Sequence, residues 1–151
     1  MTPAELAVLA AEINEDPLTL GYASHLPGDP QRVVDLLTEQ KYSMVKSRYV
    51  TARTIMAECE DGAAILDALQ TLSGTISAVK WMMTFLQQNS GIDAGHPKTQ
   101  KNIDDLAATG KLNGAYANEL KQIAVQPAAR FEVIGTPEPT ARDIVLATEI
   151  Q

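Results

Sequence analysis

Helix punctuation constrains this chain more than any other feature. Leu6, Leu9 and Ile13 recur at helical spacing behind Thr2, Pro3 and Glu5, a T-x-x-E capping box with proline at the first helical position. Asp16-Pro17 stops that run, and Asp29-Pro30 starts another carrying Val33, Leu36 and Leu37. A third helix is predicted from about Ser43 to Glu58, with a stripe of Val45, Tyr49, Ala52, Met56 and Cys59, closed by Glu60-Asp61-Gly62. Ile65, Leu66, Leu69 and Leu72 make the next stripe, ending at Ser73-Gly74.

The fifth segment, SAVKWMMTFLQQN, is the most hydrophobic. Ile76, Val79, Met83 and Leu86 share one face, and Trp81, Met82 and Phe85 widen the apolar surface beyond half the circumference. A helix apolar nearly all round is either central to a core or shared with a partner, and periodicity leaves both open. Trp81, Met82 and Phe85 are therefore the candidate protein interface.

Residues 89–97 read as a loop, followed by helices at about 97–109 and 114–125. Gly110 is placed as a residue just past a helix end and Asn113 as the next N-cap. "ARFEVIG" is a short helical turn or an extended piece, and Thr140 with Asp143 caps a last helix. With aromatics at 5% and no long alternating stretch, the expected fold is all-α: one domain, 1–151, built as a compact bundle of about seven or eight short helices.

Charge and chemistry narrow the function. Nineteen acidic against twelve basic side chains leave a net charge of −7, which phosphate backbones repel. Lys98, Lys101, Lys111 and Lys121 are interleaved with Asp104, Asp105 and Glu119, the pattern of a solvated mixed-charge face. The helix–turn–helix outline over 104–124 offers only Lys121 on its second helix and no arginine to read guanine edges; an αα-hairpin packed in a bundle is the preferred reading.

Cys59 is alone, which excludes an internal disulfide and a cysteine metal site; its place on an apolar stripe predicts a packed thiol. The N-terminus lacks a basic region before its short apolar run, so no signal peptide is expected and synthesis in the cytosol is. His25 and His96 both lie in loops near proline, and His96 reads as the end of a loop and the start of a helix. Neither glycine-rich phosphate motif is present, and Asp104-Asp105 point about 100° apart on a helix. No catalytic residue, cofactor or metal is expected. The stretch EDPLTLGYASHLPGDPQR, residues 15–32, holds three of the eight prolines and reads as a stiff corner, its Leu18, Leu20 and Tyr22 packing back on the helices.

"LAAEINEDPLTLGYA" resembles the opening of a family of small tailed-bacteriophage proteins, a helix followed by D-P-L-x-x-G-Y. The run from Gly91 to Ala147 is similar to the C-terminal part of the same family. Arg130, Glu132, Gly135, Thr140 and Asp143 stand where its R-A-E-E-L-G-like turn and final T-x-x-D-V helix fall; Phe131 and Ile144 depart from that pattern at packing positions. The resemblance covers over half the chain, and 33–88 match by helical character only. It implies a virion structural or assembly protein, in a neck, head–tail connector or tail, that touches other virion proteins (portal, connector or tail) and forms a homo-oligomer in the particle. It carries no catalytic motif. The alternative is an acidic early protein that blocks a host nucleic-acid-handling factor, which clustering of Asp93, Asp104, Asp105 and Glu119 on one face would favour.

Overall fold

The computed structural model describes residues 1–150 and is mostly helical. Its α-helices are α1 (Pro3–Glu15), α2 (Pro30–Thr38), α3 (Ala52–Glu58), α4 (Gly62–Ser73), α5 (Ser77–Leu86), α6 (Pro97–Ala108), α7 (Gly114–Gln122), α8 (Arg130–Val133) and α9 (Ala141–Glu149). Short strands β1 (Tyr42–Val45), β2 (Tyr49–Val50), β3 (Ile92–Asp93) and β4 (Val125–Ala128) form two two-stranded sheets, β1 with β4 and β2 with β3. The β2–β3 pair is antiparallel, with Tyr49 opposite Asp93 and Val50 opposite Ile92. The fold is therefore helical but not purely so. None of the described helices is long and apolar enough to cross a membrane.

The chain divides into two compact units, residues 1–44 with 127–151 and residues 45–126. In the first, α1 packs against α9 and α9 against α2. The capping signals act as their residue types dictate. The Glu5 carboxylate accepts from the Thr2 amide at 2.7 Å while the Thr2 hydroxyl accepts from the Glu5 amide, and Thr140 and Asp143 repeat the exchange. Leu9, Ile13, Tyr22, Val33, Leu37 and Ile144 are buried together, each worth about 1.5–3 kcal/mol of transfer free energy relative to exposure. The 15–32 corner is fixed by Asp16, whose two carboxylate oxygens accept from the Leu20 and Gly21 amides at 2.7 Å each. Gly21 sits at φ +82°, where a side chain would be strained. Tyr22 is fully buried, so the corner packs back on its helices as its apolar residues predict.

The second unit is built on α4, α5 and the α6–α7 hairpin. Ile65, Leu69, Val79, Met83, Leu86, Ile103, Leu106 and Leu120 form its core. Gly110 takes φ +69°, and the Leu106 carbonyl accepts from both the Lys111 and Leu112 amides, ending α6 and turning the chain into α7. The packed αα-hairpin is thus what the 104–124 segment makes.

The predicted helix over 43–58 is corrected: β1 and β2 occupy its first half, and only Ala52–Glu58 is helical. Two physical causes act together. The segment alternates half-buried and exposed residues over Tyr42–Val45, the period of a strand. Thr51 then starts α3, its hydroxyl accepting from the Thr54 amide, and a cap residue takes extended backbone. The loop before α6 lies close against this extended stretch, and glycine is required at both approaches. A β-carbon at Gly91 would collide with the Val50 carbonyl, and one at Gly95 with the Lys46 carbonyl.

Candidate protein-interaction surface

The candidate surface lies on α5. Its buried stripe is Val79, Met82, Met83 and Leu86. At 100° per residue these span about 100° of the helix, and Phe85 and Trp81 lie about 60° and 100° beyond the Met82 edge. The structure accordingly separates the three candidate residues. Met82 is 8% exposed and faces the core, whereas Trp81 is 60% and Phe85 43% exposed. The two rings stack along the helix with centroids 6.4 Å apart and planes tilted by 31°. Of the two roles left open for this helix, α5 fills a core with one face and presents the other to solvent.

Along the Ala78–Met82 side of the helix, α5 and α6 flank a largely apolar, open cavity of about 210 Å³ lined by Ile76, Ala78, Val79, Met82 and Leu106. Asn102, Asp105, Thr109 and Lys111 form its polar edge. From Ala68 to Ile92 the sequence holds a single charged residue, Lys80, although the chain as a whole is rich in acids. Depletion of charge around exposed aromatics is the compositional mark of an interface centre. Tyr49, at 70% exposure, and Met56, at 54%, are the other large apolar side chains most open to water in this unit.

The acidic residues do not form a bare face. Asp104 accepts from Lys121 at 2.7 Å and Asp105 from Lys101 at 2.6 Å, so the interleaved charges resolve into exposed pairs, each worth well under 1 kcal/mol. Glu119 accepts from the Asp61 amide at 3.2 Å. Asp93 accepts from the Ser47 hydroxyl at 2.6 Å and from the Arg48 and Gly95 amides at 2.9 Å each. The Ser47 hydrogen bond, helped by the two amides, holds its carboxyl below the usual aspartate value. Asp93 thereby fixes the loop that sequence alone marks only as a turn.

A more polar cleft of about 440 Å³ lies between the end of α3 and α7, lined by Arg48, Glu58, Cys59, Glu60 and Glu119 among others. Arg48 is committed there, donating to the Ile123 carbonyl at 2.8 Å and to Glu58 at 2.5 Å. Cys59 caps the end of α3 instead of lying on a helical stripe, and is half-buried. Burial, then the nearby Glu119 and Glu58, pushes its thiol pKa up, which keeps it protonated and weakly nucleophilic at neutral pH. Among the described residues no group of three or more His, Cys, Asp or Glu side chains is gathered to hold a metal ion. His96 caps α6, its Nδ1 accepting from the Lys98 amide at 3.1 Å, as its place before Pro97 predicts.

The first unit holds a buried polar site that sequence reasoning missed. Glu12, on the inner face of α1, is 6% exposed. Arg130 meets it with two parallel hydrogen bonds, Nε to Oε1 and a terminal nitrogen to Oε2, both 2.7 Å. The Tyr22 hydroxyl donates to the same carboxylate at 3.2 Å, and the Arg130 guanidinium lies 5.9 Å from the Tyr42 ring centre. The Glu12 hydrogen bonds raise the arginine pKa, while burial, reinforced by the Glu12 charge, raises that of the Tyr22 phenol. Among the described residues no buried side-chain nitrogen or oxygen is left without a partner, and this constellation is a clamp. An acid in helical register with Leu9 and Ile13 was the available signal, but its partner lies 118 residues away.

The chain matches no protein-family model, no curated protein and no solved structure.

Proposed function

We propose that this chain is a non-enzymatic structural or assembly protein of a tailed-phage virion, in the neck, head–tail connector or tail, acting through contacts made by a helix face. The observation that carries the reading is the Trp81–Phe85 pair, two large rings left in water on a helix whose other face already fills a core. Burying an exposed aromatic side chain gains about 1.5–3 kcal/mol, so a pair held open in one chain is poised for burial against another. Tryptophan anchors are the residues whose truncation costs interfaces most. The phage setting rests on the likeness of the D-P-L-x-x-G-Y opening and the R-x-E and T-x-x-D elements, which here have structural work. Arg130 clamps Glu12, Glu132 accepts from the Ala129 amide, and Thr140 and Asp143 cap α9.

Mass spectrometry of purified particles, and of assembly intermediates, from the phage that encodes the chain tests this reading. The chain should be present at a fixed ratio to the portal or tail proteins. Its absence from both preparations would refute the virion role.

A further inference from the structure

The turn between α6 and α7 puts a reactive dipeptide at a helix start. The chain has five asparagines, Asn14, Asn89, Asn102, Asn113 and Asn118, and only Asn113 is followed by glycine. A glycine nitrogen, with no β-carbon beside it, is the backbone nucleophile best able to reach the side-chain carbonyl carbon of the residue before it. Asn113 and Gly114 are both exposed, and no other part of the chain lies within 4 Å of where a β-carbon on Gly114 would stand. Gly114 opens α7, so its amide has no carbonyl four residues back in the helix to engage it. Sterically, nothing keeps the two groups apart.

The cap restrains them instead. Asn113 Oδ1 accepts from the Ala115 amide at 2.8 Å, with Asn113 held at φ −58° and ψ 134°. A five-membered ring closes only when the next nitrogen eclipses Cβ about the Cα–C bond, which for an L-residue means ψ near about −120°. The capped residue stands roughly 105° short of that angle, measured the shorter way from 134°. Ring closure therefore requires the start of α7 to open.

We propose that Asn113–Gly114 is a self-modification site, where the chain turns Asn113 into aspartate and isoaspartate through a cyclic imide, gated by opening of the α7 cap. The Gly114 nitrogen attacks Asn113 Cγ and gives up its proton to water. The bond from Cγ to the side-chain nitrogen breaks, and that nitrogen takes a proton and leaves as ammonia. Water then adds to one of the two imide carbonyls. Cleavage at Cγ restores the peptide bond and leaves aspartate; cleavage at the main-chain carbonyl leaves the chain running through Cβ and Cγ as isoaspartate. No oxidant or reductant is needed. The two products differ in consequence. Aspartate caps as well as asparagine and adds a negative charge at the positive end of α7, so the αα-hairpin stays closed. Isoaspartate lengthens the main chain and draws the acceptor away from the Ala115 amide, so the first turn of α7 loosens.

Incubation of the full chain at mildly alkaline pH, followed by peptide mapping with mass spectrometry, should show a one-dalton gain at Asn113 ahead of the other asparagines. The gain should divide between two chromatographically distinct peptides. Gly114→Ala fits the open position and should slow the gain at least ~10-fold. Denaturing urea should speed it at least ~10-fold in the wild-type chain, because nothing then holds the cap closed. Hydrogen exchange in the first turn of α7 should rise in the isoaspartate form and stay unchanged in Asn113→Asp. A gain that comes first at another asparagine, a rate indifferent to Gly114→Ala, or equal rates in folded and denatured chains overturns the inference. So does an isoaspartate form that exchanges like Asn113→Asp.

Discussion

The two units solve the problem of a small core in opposite ways. Residues 1–44 with 127–151 close around a charged clamp, in which Glu12 is met by Arg130 in two hydrogen bonds and by the Tyr22 hydroxyl. Residues 45–126 close around apolar side chains alone, and leave aromatic rings, among them Trp81 and Phe85, outside, whereas the large apolar side chains exposed in the first unit are all aliphatic. A clamp demands one arrangement, because a carboxylate buried without its partners is expensive; an apolar core tolerates exchange of shapes. The contrast teaches where to look for function: in the unit that leaves aromatic rings in water, on the face the core did not need.

The largest expected effect tests the clamp. Arg130→Met leaves the Glu12 carboxylate buried and unpaired, and should destabilise by about 3–5 kcal/mol in chemical denaturation. Hydrogen exchange should rise first in α1, α2 and α9. The paired change Glu12→Leu with Arg130→Met should recover most of that loss. If the single variant is as stable as the wild type, the first unit is held by packing like the second and the contrast disappears.

Next comes the apolar core. Leu69→Ala, at a fully buried position, should cost about 2–5 kcal/mol, with exchange rising first within 45–126. A smaller effect belongs to the loop hub. Asp93→Asn weakens three charge-assisted hydrogen bonds and should cost about 1–2 kcal/mol. The pH dependence has a definite sign. Asp93 has its folded pKa below its unfolded value, near 3.8, so its contribution is complete above about pH 5 and is lost as pH falls through the lowered value. Asp143, lowered first by the Thr140 hydroxyl, behaves the same way at the start of α9. Acid titration followed by NMR should show both carboxyls titrating below a free aspartate. Smallest of all, Trp81→Ala should change monomer stability by no more than ~0.5 kcal/mol, since the ring is mostly in water. A large loss of stability there would make Trp81 a core residue and remove the exposed aromatic ring on which the comparison rests.

Local signals were legible wherever a residue acts on its own neighbours. Thr2 and Glu5, Asp29-Pro30, His96-Pro97, Asn113, and Thr140 and Asp143 all start helices where their chemistry allows, and Gly110 ends one. The 43–58 segment defeats periodicity because Val45, Tyr49, Ala52 and Met56 fit one helical stripe, yet only Ala52 and Met56 are helical, while the close approach of the Gly91 and Gly95 loop accompanies extended backbone before them. Of the candidate interface residues, Trp81 and Phe85 are exposed and Met82 is not: a wide apolar arc does not say which of its edges turns inward.

By itself, then, the sequence determined the helical character, most helix boundaries, the packed corner at 15–32 and the interest of α5. All depend on contacts within a few residues, which the chain encodes directly. Tertiary structure alone decided that Glu12 meets Arg130, that Asp93 holds Ser47 and Arg48, and which side of α5 faces water. Those partners lie 45 to 118 residues apart, and no local pattern specifies which distant groups will share a low-dielectric interior.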